Sequence, residues 1–424
     1  MDTIFALSSG TAPAGIGVIR ISGPGAIAAV ARLAGPLPPP RTARVRALRD
    51  EGGALLDRAL VLIFPGPATA TGEDLAELHC HGGRAVLAAV CAALGRQRGL
   101  RPATAGEFTR RSLANGRIDL AEAAGLADLL SADTERQRVA ALSAAEGLVS
   151  QRVRGWLDRL ATLGALVEAQ LDFADEDDVD ADDVAMATVR SGIAALAADL
   201  ATVLAMPPVE RLRDGVRVVL AGPPNSGKST LVNLLSQRDL AIVSPIAGTT
   251  RDRIEATVTR DGLVYVLTDT AGLTDSDDPI ERIGVTRATD AIARADVLLW
   301  LGDTPPPRDD ALWVRARADA TGRIALPDAD VSVAQSDDAS VAAVWRHIAA
   351  RAEAMVPRGD AIAFRDSERQ ACSAALAVLD PDEHDALLLG EQLRLATRSL
   401  AVILGIDATE AMLDMLFGRF CIGK

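Results

Sequence analysis

The run Val216-Arg-Val-Val-Leu-Ala221 passes without a break into Gly222-Pro-Pro-Asn-Ser-Gly-Lys-Ser229. A short apolar run of this kind suits a strand buried on both faces, and such strands are usually parallel and covered by helices. The glycines let the backbone turn tightly from the strand into a helix beginning near Thr230. The N–H groups of that turn converge on one concavity, and the helix N-terminus adds a favourable dipole. Strand, Gly-x4-Gly-Lys-Ser and helix together make a phosphate cradle. The pattern commits residues 213–355 to an α/β layer. It places Asn225, Ser226, Gly227, Lys228, Ser229 and Thr230 around the phosphates, with Lys228 reaching the β and γ groups and Ser229 ligating Mg²⁺.

Lysine usage sharpens this reading. The chain has 424 residues and two lysines, Lys228 and Lys424, against 42 arginines. Arg is a planar fork and Lys a compact ammonium on a thin stem, so Lys persists where the fork is a poor substitute. One of the two sits in the phosphate loop. The other ends the segment Cys421-Ile-Gly-Lys424.

The next apolar strand, Leu263 to Thr268, runs into Asp269-Thr-Ala-Gly272. A carboxylate at Asp269 can hold Mg²⁺ through water. Thr270 and Ala271 continue the turn, and the Gly272 amide can sense a γ-phosphate. Thr250, in Ala247-Gly-Thr-Thr-Arg-Asp252, is the expected second hydroxyl on Mg²⁺. The order and spacing of these pieces point to GTP hydrolysis. Many switch GTPases carry Gln directly after such a Gly; here Leu273 occupies that position and cannot orient water.

Charge is unevenly spread. Residues 1–118 hold 14 arginines against 8 acids, a net of +6 in a chain of formal charge −14, which leaves −20 for the remainder. A basic front on an acidic body hints at a polyanionic partner near the N-terminus and argues against a simple nucleic-acid-coating protein. Four cysteines (Cys80, Cys91, Cys372 and Cys421) lack paired metal or redox spacing, which suits a reducing compartment. No basic leader opens the chain, and the apolar stretch from Ile193 to Met206 contains Asp199 and is short for a membrane span. A cytoplasmic protein without a membrane segment is expected.

The texture divides the chain into four. Residues 1–118 mix strands (Gly17 to Ile21, Ala59 to Phe64) with Gly and Pro punctuation, an α+β pattern. Residues 119–212 are Ala/Leu-rich helix, in which Trp156, Leu160, Leu163, Val167 and Leu171 fall on one stripe, most simply a core face. Asp172 to Asp183 carries eight acids in twelve positions. It lacks the Gly and Glu of a calcium loop and reads as a solvated connection between helices. Residues 213–355 are the α/β layer, and residues 356–424 are helical again. His79-Cys80-His81 has no second ligand pair nearby, so packing beside Glu77 is preferred to zinc.

The specific motifs lie outside the phosphate loop. They are Gly15-Ile-Gly-Val-Ile-Arg-Ile-Ser-Gly23, Thr71-Gly-Glu-Asp-Leu-Ala-Glu-Leu-His-Cys-His-Gly-Gly83, Gly106 to Leu120, and Cys421-Ile-Gly-Lys424. With them the chain resembles the MnmE (TrmE) family of tRNA-modification GTPases, essentially end to end. The resemblance implies a multidomain fold: an α+β N-terminal domain, an all-α helical domain, and an α/β P-loop GTPase domain inserted into it. It implies that the N-terminal domain forms a homodimer and binds 5-formyl- or 5,10-methylene-tetrahydrofolate. The ligand's contacts would be Arg20, Glu77, Lys424 and Arg117, the last in place of the family's Lys. It implies K⁺ held by Asn225, Ser244, Ile246 and Thr249. Pro245, Ala247 and Gly248 belong to the same nucleotide-contacting loop, and Glu281 orients water. It also implies addition of an aminomethyl or carboxymethylaminomethyl group to C5 of a tRNA wobble uridine. The partner would be an FAD-carrying flavoprotein, MnmG (GidA), in a heterotetramer or larger complex.

One motif departs from the pattern. A guanine-reading Asn-Lys-x-Asp is represented by Ala316-Arg-Ala-Asp319, which keeps only the carboxylate of Asp319. The link from Leu301 to the strand near Leu312 is too short for an ordinary crossover helix, and the base-binding segment near Ser332 is indistinct. A rival reading is a regulatory or ribosome-assembly P-loop GTPase, which would leave the motifs of residues 1–118 and the Cys-Ile-Gly-Lys segment unexplained.

Overall fold

The computed structural model describes residues 2–172, 179–236, 255–270, 289–320, 326–358, 361–406, 410–418 and 420–423. They form two compact units. One comprises Met1–Ala127, Ala144–Asp158 and Thr397–Lys424; the other comprises Asp128–Ser143 and Arg159–Ala396.

The first unit is built on strands β1 (Thr3–Leu7), β2 (Ile16–Ser22), β3 (Arg44–Arg49), β4 (Leu55–Phe64), β5 (Leu75–His81) and β6 (Leu100–Pro102), with helices α1 (Ala26–Ala34) and α2 (Arg84–Gly95). The sheet order is β3-β4-β5-β2-β1-β6, with only β1 and β6 parallel. Side chains alternate between faces along each strand. Ile19 and Ile21 of β2 and Ala76, Leu78 and Cys80 of β5 bury against Val30 and Leu33 of α1 and Leu87, Val90 and Leu94 of α2. Arg20 of β2 and Glu77, His79 and His81 of β5 therefore fall on the opposite face. β3 is one edge of the sheet.

The chain's far end returns to this unit. The helix Glu410–Phe417 leads to Phe417 and Phe420, which pack on Ala123. Ile422 then forms an antiparallel bridge with Ala105. Gly423, at φ +98°, lies on the end of β1, and its carbonyl accepts from Ser8 Oγ at 2.8 Å.

The second unit holds strands β7 (Val216–Ala221), β8 (Glu255–Arg260), β9 (Leu263–Asp269), β10 (Val297–Trp300), β11 (Leu312–Arg315) and β12 (Val331–Ser332). Their order is β12-β11-β10-β7-β9-β8, parallel except for β8. β7 is central and buried on both sides. Val218 and Leu220 join a core with Leu231 of the helix Lys228–Ser236 and Val344 and Ile348 of the helix Asp338–Met355. Val219 and Ala221 join a smaller cluster with Leu298 and Trp300. The link from Leu301 to Ala311 holds no helix, as its length predicts. Two indoles brace it instead: Trp300 Nε1 donates to Thr304 O and Trp313 Nε1 to Gly302 O, each at 2.8 Å.

Where the chain enters and leaves this layer, the two segments are joined. Val209 N donates to Phe364 O, and Asp366 N to Glu210 Oε1, both at 3.1 Å. Arg365 pairs with Asp128 at 2.5 Å.

Several expectations change. Trp156, Leu160, Leu163 and Val167 are buried as the helical spacing predicts, but Leu171 is 38% exposed, because it sits one residue from the end of the helix Leu148–Asp172. The acidic run is not all loop, since the helix Val179–Ala205 begins inside it. That helix is also longer than the apolar run suggested. The stretch Val184–Asp214 is by length and composition apolar enough to cross a membrane, yet Val189, Ile193, Leu196, Leu200 and Val203 are core residues and Asp199 pairs with Arg159 at 2.5 Å.

Candidate nucleotide site and the N-terminal carboxylate cluster

The phosphate loop leaves the C-terminal end of β7 between β10 and β9, where the order of parallel strands reverses, the usual place for a ligand in such a sheet. Asn225 adopts φ +61° and Gly227 φ +98°. A Cβ on Gly227 would stand 3.3 Å from Arg317 Cγ, so the loop is closed over by that side chain. Lys228 is buried, and its Nζ donates to the carbonyls of Gly222 and Pro223, both at 2.9 Å. Loop carbonyls are weak substitutes for phosphate oxygens, so the ammonium is held where a phosphate can take it over. Ser226 Oγ is buried without a hydrogen-bond partner among the described residues, an orphan that a phosphate oxygen would satisfy.

Ser229 Oγ donates to Asp269 Oδ2 at 2.5 Å. Asp269 closes β9 opposite Leu220 and is 1% exposed. A hydroxyl and a carboxylate this close are the pair expected to share Mg²⁺, one directly and one through water. Thr270 is tied into the sheet by its N–H and Oγ1, both donating to Leu220 O. The residues present therefore fit a nucleotide with Mg²⁺.

Beside the loop lies a cavity of about 280 Å³ lined in part by Thr230, Leu234, Ala316, Arg317, Asp319 and Gln335. Arg317 Nη1 donates to Asn225 O at 3.1 Å, and Asp319 Oδ2 accepts from Gln335 N at 3.2 Å and Ser336 Oγ at 3.4 Å. The sequence placed Asp319 here but gave no signal for Gln335 and Ser336. They follow β12, a strand of two residues that leaves almost no periodicity to read. The expectations for Ser244, Pro245, Ile246, Ala247, Gly248, Thr249, Thr250, Ala271, Gly272, Leu273, Glu281 and Lys424 lie outside the described residues.

The N-terminal sheet gathers a second cluster. Arg20 and Glu77 face each other in register. Nε and Nη2 of Arg20 donate to Glu77 Oε1 at 3.2 and 3.0 Å, and His79 Nε2 meets Oε2 at 3.1 Å. Burial opposes the charge on Glu77, but His79 and the Arg20 guanidinium outweigh it and hold the carboxyl below its ordinary value. Arg117 is exposed on a neighbouring turn, its stem against Gly72. His81 is committed to Asp57 through Nδ1 at 2.7 Å, and among the described residues no group of three metal-ligating side chains forms. A cation, an ionised carboxylate and imidazole on a half-open sheet face suit an anionic ligand with a hydrogen-bonding heteroaromatic edge.

Among solved structures, the chain is similar to Aquifex aeolicus Era bound to GDP and AlF4⁻, at 21% identity and a TM-score of 0.24 over 38% of this chain and 66% of that one. The family described as the GTP-binding protein TrmE N-terminus matches residues 3–117, and the MnmE helical domain matches residues 120–421. A tRNA modification GTPase MnmE of Rhizorhabdus wittichii is 52% identical over 430 residues, covering 100% of this chain and 97% of that protein. One from Erythrobacter litoralis is 50% identical over 427 residues, covering 100% of both. The chain belongs to the MnmE family of tRNA modification GTPases. MnmE membership makes it a GTP hydrolase of tRNA modification, with GTP and Mg²⁺ as its ligands. It also accounts for the architecture: the α/β layer carrying β7 to β12 interrupts the span matched by the MnmE helical domain.

Proposed function

We propose that the protein couples GTP hydrolysis to addition of an aminomethyl or carboxymethylaminomethyl group at C5 of a tRNA wobble uridine. It would act as a cytoplasmic homodimer with an FAD-carrying flavoprotein partner of the MnmG type. The observation that carries this reading is the convergence of Lys228, Ser229 and Asp269 on one cradle in a chain whose tail docks on the end of β1, the strand paired with the one that carries Arg20. In the nucleotide site, Lys228 and the loop N–H groups hold the β- and γ-phosphates, and Ser229, Asp269 and Thr250 hold Mg²⁺. K⁺ held by Asn225, Ser244, Ile246 and Thr249 supplies positive charge where phosphate charge develops. Glu281 positions water, a role Leu273 cannot fill. On the N-terminal sheet, Glu77 accepts from the pterin edge of a tetrahydrofolate, while Arg20, Arg117 and Lys424 meet its anionic tail.

The test is mass spectrometry of wobble nucleosides in tRNA from cells lacking the protein. They are expected to lack the C5 substituent, to regain it with the wild-type chain, and not to regain it with Lys228→Ala. Unaltered nucleosides in the deletion strain would point to a regulatory GTPase instead.

A further inference from the structure

One edge of the N-terminal sheet is β3, of sequence Arg-Val-Arg-Ala-Leu-Arg, which among the described residues pairs with β4 alone. Arg44, Arg46 and Arg49 lie on it, Arg58 is beside it on β4, and Arg41 stands three residues before it. All but Arg46, which is half-buried, are exposed. Among the described residues none of the five pairs with a carboxylate. Arg41 donates to Ala68 O and stacks over Phe64; Arg46 donates to Pro36 O and Val45 O; Arg49 donates to Gly53 O. A guanidinium has five donors, so each keeps several for another acceptor. The nearby acids are occupied or set back: Asp57 holds His81, Asp50 Oδ1 accepts from Ala54 N, and Glu51 lies in the turn after the strand.

Charge on an open edge also discourages strand addition, but either sign would serve that purpose. Here the sign is uniform, on a domain of net +6 in a chain of −14. Arg44 and Arg46 are alternate residues and repeat at about 7 Å, comparable with the spacing of phosphates along a nucleic-acid strand. Arg49 follows the irregularity after Leu48, and Arg58 pairs with Ala47 on the other face of the same edge. Unpaired guanidinium forks match phosphate oxygens in both geometry and charge.

We infer that the β3 edge, through Arg44, Arg46 and Arg49 with Arg58, is a contact surface for the phosphate backbone of the tRNA substrate. The inference rests on the tRNA-modification role and not on the tetrahydrofolate reading. Such contacts position the RNA and carry no base specificity.

Binding of an in vitro transcribed tRNA to the full chain is titrated against salt for wild type and for the triple variant Arg44→Gln, Arg46→Gln, Arg49→Gln. Each lost phosphate contact lowers the slope of log K against log salt by about 0.7–0.9, so the triple variant is expected to flatten it by about 2 to 3. GTP hydrolysis without tRNA should not change. Arg44→Gln alone, at an exposed position with no side-chain bond among the described residues, should flatten the slope by about 0.7–0.9 if the triple variant folds poorly. Wild-type binding with an unaltered slope in folded variants overturns the inference. Retained tRNA affinity with loss of a protein complex also overturns it, and makes the edge a protein-docking surface. Absence of wild-type tRNA binding at low salt overturns the tRNA reading as well.

Discussion

A Cβ on Gly423 would stand 2.3 Å from the carbonyl oxygen of Leu7. Only glycine fits there, and its φ of +98° would strain any other residue. Leu7 ends β1, whose preceding residue Ala6 pairs across to Arg20. The second residue of the Ile-Gly-Lys tail is thus locked one strand away from the Arg20–Glu77 pair.

Replacing this glycine should detach the tail. Gly423→Ala is expected to weaken tetrahydrofolate binding about tenfold or more, equivalent to about 1.4 kcal/mol, and deletion of Cys421 to Lys424 should abolish modification. GTP hydrolysis should persist in both, since its residues lie in the other compact unit. Calorimetry of folate binding beside a phosphate-release assay separates the two activities. Undiminished folate affinity would leave the tail as a docking segment for the flavoprotein.

If the proposed cation site is right, hydrolysis is expected to run faster in K⁺ than in Na⁺, because K⁺ held by Asn225 and the Ser244 to Thr249 loop would supply positive charge where phosphate charge develops. Equal rates in the two salts would remove the cation-site assignment. Glu281→Ala should slow turnover by about a hundredfold while nucleotide affinity stays close to wild type.

Base selection should be loose. Ala316 supplies no polar group to the cavity where an Asn would stand, and Asp319 is shared with Gln335 and Ser336. A missing partner at a polar base edge costs about 1–3 kcal/mol, so preference for GTP over ATP should be weaker than in a GTPase with an intact Asn-Lys-x-Asp. Asp319→Ala should erode it further. Competition titrations decide, and a strong preference surviving that substitution would show that the base is read elsewhere.

Glu368 predicts a pH effect on stability. It is 8% exposed at the start of the helix Asp366–Val378. Burial pushes its carboxyl up from 4.5 to about 7, against the Arg365 N–H and charge and with support from Glu210 and Asp128. The folded state therefore holds this proton more tightly than the unfolded state does. Stability from this group is complete below about pH 4.5, declines as pH rises towards about 7, and then levels off. The total loss is about 3 kcal/mol. Glu368→Gln keeps an acceptor for the Arg365 N–H and should flatten thermal stability across that window. An unchanged slope in the variant would place the titration on another group.

Much of this was legible because the relevant residues repeat at a fixed period or sit in a fixed motif. β7 was readable to the residue, since burial on both faces leaves a nearly unbroken apolar run, whereas the helix expected near Thr230 already begins at Lys228. The stripe from Trp156 to Val167 was readable because a helix repeats every 3.6 residues. Leu171 failed because a helix end has no further turn to cover it. The acidic run misled because charge marks solvent exposure, which the outer face of a helix and a loop share. Gln335 and Gly423 were invisible as contacts, since each acts through backbone geometry fixed by partners far away in sequence.

The clasp of Val209 on Phe364 has a consequence for how this chain can vary. The excursion between them leaves and re-enters through one hydrogen-bonded neck, and the helix Glu135–Ala145 meets it beyond the neck, where Arg136 pairs with Glu353 and Gln137 donates to Leu212 O. Closure entropy grows only with the logarithm of loop length. Shortening such as the helix-free link between β10 and β11 therefore leaves the neck's own cost nearly untouched. The layer can in this sense lose or gain segments that lie away from the neck and from that helix while the helices around it keep their packing.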